Sequence, residues 1–134
     1  FPMLESIFNS EVESISKLAA SSVESVSKYL ELNVEFKFSS VSFGHTKGQD
    51  KSTRLISITK ELGGDTYMNP IGGAKLYDKD FFESKGIKLD FLESKTITYP
   101  QFNGHFTPNL SIIDVIMFNS IEDVNKLLTK YSLI

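Results

Sequence analysis

Tyr67-Met68-Asn69-Pro70-Ile71-Gly72-Gly73 is the segment whose residue types and spacing most readily suggest chemistry. Paired glycines let backbone N–H groups close on a phosphate or carboxylate, as in an anion nest. The same pair also suits a tight turn at positive φ. Ser39-Ser40 offer two hydroxyls at the corresponding end of an earlier expected strand. Arg54 is the sole arginine and falls in the first turn of an expected helix. Its guanidinium is a fork for a carboxylate or phosphate, with a surface ion pair as the alternative. Ser39, Ser40, Arg54, Tyr67, Asn69, Gly72 and Gly73 are therefore expected to line a cleft for an anionic group, aided by the helix N-terminus near 51. Tyr99 to Asn109 forms a long loop rich in aromatic and amide side chains, a type that tends to be functional or mobile; from it Gln101 joins the ligand-binding candidates.

Other chemistries are less well served. No dinucleotide, P-loop, zinc-protease or nucleophile-elbow motif occurs. His45 and His105 stand far apart in loops and read as surface residues, and no metal site is expected. Ser111 and Asp114 tempt a nucleophile reading, but serine needs a neighbouring base. A helix cap, with Ser111 accepting from the Asp114 amide and the carboxylate returning, explains the pair without one.

The elements that must position these residues follow from periodicity. Val12, Ile15, Leu18, Val23, Val26 and Tyr29/Leu30 recur at helical steps, predicting a helix over 10–32 that opens with a Ser10/Glu13 capping box. Its serine-rich face, Ser27 included, reads as solvated. Val34 to Phe38 alternates and predicts a strand. A helix over 51–62 follows, with Leu55, Ile56, Ile58 and Leu62 inward and Gly63-Gly64 as its stop. Short strands are expected at 65–68 and 87–92, flanking a helix capped by Asp78 and ended by Gly86. Helices at 111–118 and 121–131, opened by Ser111 and Ser120, close the chain.

Strands alternating with helices predict an α/β fold, a mainly parallel sheet with flanking helices resembling half of a Rossmann domain; α+β is the alternative. Glu35, Lys37, Lys88 and Asp90 on one side of their strands imply edge strands or an uncovered face. The 134 residues suit a single α/β domain. The formal charge of -3 argues against nucleic-acid binding by bulk charge. Without cysteine there is neither a disulfide framework nor a thiolate metal site. A mean hydropathy of -0.10, with no long apolar run, predicts no membrane span. The chain opens Phe1-Pro2-Met3 rather than at an initiator methionine, which suggests a piece of a longer protein.

Asp65-Thr66-Tyr67-Met68-Asn69-Pro70, Gly72-Gly73 and Leu76-Tyr77-Asp78 resemble the WbqC-like family. So do Tyr99-x-Gln101, Phe106-x-Pro108-x-Leu110-Ser111-Ile112-Ile113-Asp114, Met117-Phe118-Asn119 and Tyr131-x-Leu133-Ile134. The resemblance is read over residues 36–134, as the C-terminal part of such a protein, whose His-Gln-Pro-x-Tyr-Leu-Pro segment is absent here. It would leave the fold incomplete. The resemblance implies a role in bacterial O-antigen and surface-polysaccharide biosynthesis. Its favoured form is a cytoplasmic transferase that modifies a nucleotide-linked sugar, by acyl or aminoacyl transfer. The partner would then be a nucleotide-sugar or activated acyl substrate, with cofactors unassigned and self-association open. The alternative is a non-catalytic binding or assembly module of the same pathway.

Overall fold

A computed structural model describes residues 2–12 and 14–134, and of Asn103 the backbone alone. In chain order the elements are α1 (Pro2–Phe8), α2 (Ile15–Tyr29), α3 (Ser39–Ser42), α4 (Lys51–Glu61), β1 (Thr66–Pro70), α5 (Lys79–Ser84), β2 (Lys88–Ser94), α6 (Ile112–Phe118), α7 (Ile121–Leu128) and β3 (Tyr131–Leu133). Short 3-10 turns occur at Gly44–Thr46, Ile71–Gly73 and Phe102–Gly104. The fold is α/β, and the chain separates into two compact units. The first comprises Phe1–Phe36 and Tyr99–Leu127, the second Lys37–Thr98 and Leu128–Ile134.

In the first unit the expected helix over 10–32 is two helices. Ser10 does not start one; its hydroxyl donates to the Ile7 carbonyl and closes α1. Glu13, its expected capping partner, lies outside the described residues. Ser14 caps α2 instead, accepting from the Lys17 amide at 3.3 Å. The core of this unit gathers Leu30, Val115, Ile116 and Val124, with Val26 and Tyr29 packed against them. The most deeply buried part of α2 is therefore its C-terminal end, while Leu18 and Ala20 are half-buried. Ile15 and Val23, expected inward, are 87% and 55% exposed, while Ser27, expected in water, is buried. Periodicity identifies a face, but the partner helices decide how much of its length is covered.

The end of α2 carries a strained residue. The Leu32 amide donates to Ser27 and the Glu31 amide to Lys28, the Schellman pattern. That pattern places Glu31 at φ 58, in left-handed space that favours glycine.

In the second unit β1 and β2 pair in parallel, Thr66 opposite Lys88 through Pro70 opposite Leu92. They are joined by a crossover through α5, as parallel neighbours require. β3 runs antiparallel on the other side, Leu92 opposite Leu133. The sheet is thus mixed, in the order β1-β2-β3. Residues 129–131, expected to end a helix, leave α7 at Leu128 and turn into β3, whose backbone is satisfied by the ladder on β2. The expected strand at 34–38 is irregular, with Val34, Phe36 and Phe38 exposed. Among the described residues no strand pairs with it, and alternation alone cannot supply a ladder.

The core of this unit is Ile56, Phe82, Ile87, Leu89 and Phe91. Asp50 caps α4 through the Ser52 and Thr53 amides, and Thr53 holds its carboxylate below the ordinary range. Asp78 does the same capping for α5. Leu62, expected inward on α4, is exposed at the C-cap; Thr59 is buried instead. Gly86 ends α5 at φ 74, with the Ile87 amide on the Phe82 carbonyl. This brings Ile87 against Phe82 in the core, the apolar contact that accompanies such caps.

Glu31→Gly should raise stability by about 0.5–1 kcal/mol, because glycine relieves the left-handed strain at some cost in unfolded-chain entropy. Urea unfolding checks the sign; a destabilised variant would show that Glu31 is not strained.

Candidate functional site

The second unit contains a groove of about 360 Å³ lined by Lys47, Gly48, Gln49, Lys51, Arg54, Leu55 and Tyr77. Among the described residues three cations and no carboxylate line it, in a chain whose formal charge is -3. Arg54 is held by neutral oxygens. Its Nε donates to Thr46 Oγ1 at 3.0 Å, and Nη2 reaches the Ser39 carbonyl and hydroxyl, each at 3.4 Å. Thr46 is buried and its own hydroxyl donates to the Phe43 carbonyl at 2.7 Å, so it is fixed before it accepts from Arg54. Among the described residues no ion pair engages Arg54. A guanidinium oriented by neutral acceptors keeps its full charge for a ligand.

Aromatic packing connects this groove to the glycine segment. Tyr77 meets Phe82 and Tyr67 edge-on, with centroids 6.1 and 6.4 Å apart, and Tyr67 stacks on Phe82 at 5.9 Å. Burial, with a smaller contribution from Tyr77, pushes the Tyr67 phenol above its ordinary value. Asn69 and Pro70 belong to β1 rather than to a loop. Gly72 and Gly73 follow in one 3-10 turn, and neither has positive φ. The pair thus forms a tight turn as expected, but not one that needs positive φ. A Cβ on Gly73 would stand 2.2 Å from Asn69 Nδ2 and 3.5 Å from the Tyr77 ring, so the Asn69 amide occupies that space. A Cβ on Gly72 would meet nothing within 4 Å.

Contacts thus link Ser39 with Arg54 and Tyr67 with Tyr77, while the Asn69 amide fills the space over Gly73 beside the Tyr77 ring. Ser39 and Ser40 lie in α3 rather than at a strand end, because no strand precedes them. Ser40 is exposed, and no contact joins it to Arg54 among the described residues. The sequence reading missed Thr46, Lys47, Lys51 and Tyr77. Lys47, Lys51 and Arg54 follow at steps of four and three, a cationic spacing that could have been noticed; the anchoring by Thr46 depends on a loop folding back. His45 pairs with Glu61 at 2.9 Å, both exposed. Among the described residues no cluster of three or more His, Asp or Glu could hold a metal ion.

Gln101 lies in the first unit. Its Nε2 donates to Asp114 Oδ2 at 2.9 Å, to the Thr107 carbonyl at 3.1 Å and to the Tyr99 hydroxyl at 3.2 Å. Its Oε1 accepts from the Thr107 amide at 2.7 Å. The Tyr99 hydroxyl donates to Asp114 Oδ2 at 2.6 Å, and its ring meets Phe106 edge-on. Both ends of the Gln101 amide are engaged in closing the 99–114 loop. Asp114 is consequently not the capping partner of Ser111. Ser111 caps α6 alone, through the Ile113 amide at 3.2 Å, while the carboxylate serves the loop. The Ser120/Asp123 pair does form a side-chain cap, at 3.1 and 2.7 Å. Burial, then the Asp114 hydrogen bond, raises the Tyr99 phenol above 10.

A raised phenol favours the protonated form in the folded chain. Its contribution is complete below about pH 10 and is lost as pH climbs through the folded value. Tyr99→Phe should lower stability at neutral pH yet make the alkaline loss shallower; equal slopes in denaturant midpoint against pH would contradict the network. Gly73→Ala should lower stability, and adding Asn69→Ala should restore part of the loss. Additive effects in that double-mutant cycle would show the two sites uncoupled.

The model of the WbqC-like protein family matches residues 1–126. No curated protein and no solved structure matches the chain. The resemblance read over 36–134 as a C-terminal part is therefore too narrow. The helices before residue 36 belong to the matched region, though their serine-rich amphipathic pattern is common to many helices, and Tyr131-x-Leu133-Ile134 falls outside it. With most of its length covered, the chain belongs to the WbqC-like protein family.

Proposed function

We propose that the groove beside α4 binds the phosphate group of a nucleotide-linked sugar, and that the chain is a cytoplasmic transferase of bacterial surface-polysaccharide (O-antigen) biosynthesis. The observation that carries this reading is the Arg54 guanidinium, anchored by Thr46 and Ser39 and flanked by Lys47 and Lys51 in a groove without carboxylates. A diphosphate would meet three cations at once, and a planar fork recognises two of its oxygens together. Tyr77 offers an aromatic wall for the uncharged part of the ligand. A phosphate-bearing acyl donor carries the same recognition chemistry, so acyl or aminoacyl transfer onto the sugar is the reaction class proposed. Among the described residues no helix is long and apolar enough to cross a membrane.

Calorimetry and thermal unfolding with a uridine diphosphate sugar, the nucleoside and inorganic phosphate test the binding half. Ligand at about 100 times its dissociation constant should add roughly 2.7 kcal/mol. Arg54→Ala should weaken nucleotide-sugar binding about tenfold or more, and wild-type binding should weaken as salt is raised. Unchanged affinity in Arg54→Ala, with the fold intact by circular dichroism, would overturn the site. Binding without turnover of any supplied sugar nucleotide would instead favour the non-catalytic module.

A further inference from the structure

The second unit has another cleft, of about 320 Å³, between α5 and the first half of β2. Its charged lining is balanced: Lys79 and Lys88 against Glu83 and Asp90. Asp90 is only 6% exposed, a costly position for a carboxylate. Strand alternation explains how it arises. Leu89 and Phe91 fill the core on one face of β2, so Lys88 and Asp90 share the other. Lys88 Nζ meets Asp90 Oδ2 at 2.6 Å while the lysine side chain stays 68% exposed. Among the described residues Asp90 Oδ1 has no hydrogen-bond partner, and it is not sealed from solvent as Asn125 Oδ1 is. Lys79 holds its ammonium 5.7 Å from the Phe91 ring centroid, on the core side of β2, so it borders the cleft from the face opposite the Asp90 side chain.

We propose that this cleft is a binding site for an uncharged polyhydroxylated ligand, a sugar ring, with Asp90 Oδ1 accepting from one ligand hydroxyl and Lys88 donating to a neighbouring oxygen. The class follows from the lining. A strong anion would be set against Glu83 and Asp90, and a cation against Lys79 and Lys88. A hydroxyl both donates and accepts, so adjacent hydroxyls satisfy a carboxylate and an ammonium side by side. The volume is within the range of small-ligand sites. The Arg54 groove, with three cations and no acid, has the opposite preference, so the two sites are separable and this inference does not rest on the first.

Amide chemical shifts of the isotope-labelled chain, titrated with methyl α-glucoside, N-acetylglucosamine and inorganic phosphate, test it. A neutral sugar should move the amides of residues 86–90, and phosphate should leave them in place. Asp90→Asn should weaken sugar binding about tenfold or more, since a charge-assisted hydrogen bond is lost. Lys88→Met alters an exposed ammonium and serves where Asp90→Asn does not fold; it should weaken binding by a smaller factor. No shift at 86–90 with either sugar overturns the proposal. So does a response to phosphate alone there, or undiminished sugar binding in Lys88→Met.

Discussion

Burial of the Phe82 ring, stacked on Tyr67 and edge-on to Tyr77, ties α5 to β1 and sets where the aromatic wall of the cationic groove stands. The ring is fully buried, and its backbone carbonyl also receives the Ile87 amide that turns the chain from α5 into β2. One residue therefore shapes the crossover, the core and a wall of the site. A small sheet can support a groove in this way because aromatic side chains supply large contact areas with few freedoms to lose. The glycine segment is recruited through the same cluster: Tyr77 touches the space over Gly73 that the Asn69 amide fills.

Electrostatics then divides the two clefts of this unit. Neutral oxygens orient Arg54, so its charge is not cancelled before a ligand arrives. Asp90 is half-compensated by Lys88, so its second oxygen still needs a donor. In both cases the protein spends packing to hold a polar group in place and leaves part of its bonding capacity unused.

The first unit uses its polar groups differently. Tyr99, Gln101 and Asp114 satisfy one another, and Thr107 completes the set through its backbone. A loop of irregular backbone needs such bonds because no ladder or helix serves its amides. Gln101 was picked out as a ligand contact from its setting in an aromatic, amide-rich loop. Within the folded chain its amide is bonded to Tyr99 and Thr107 of the loop and to Asp114 of α6, which ties the loop to that helix.

Local features were legible in the residues themselves. Asp78, Ser111 and Ser120 cap helices, Gly63 and Gly86 stop them, and strands form about where they are expected at 65–68 and 87–92, because each depends on neighbours a few residues away. Arg54 could likewise be singled out by type and position. What could not be read was which partner each group would find. Val34 to Phe38 alternates like a strand yet, among the described residues, pairs with none, while Tyr131, the last residue of the expected 121–131 helix, opens the strand that joins β2. Asp114 left its expected cap for Tyr99 and Gln101, and Thr46 became the anchor of Arg54. Sequence determined the local backbone preferences and the inventory of charges. Tertiary structure alone decided the ladders, the clefts and the fate of each charge, because those depend on contacts between residues distant along the chain.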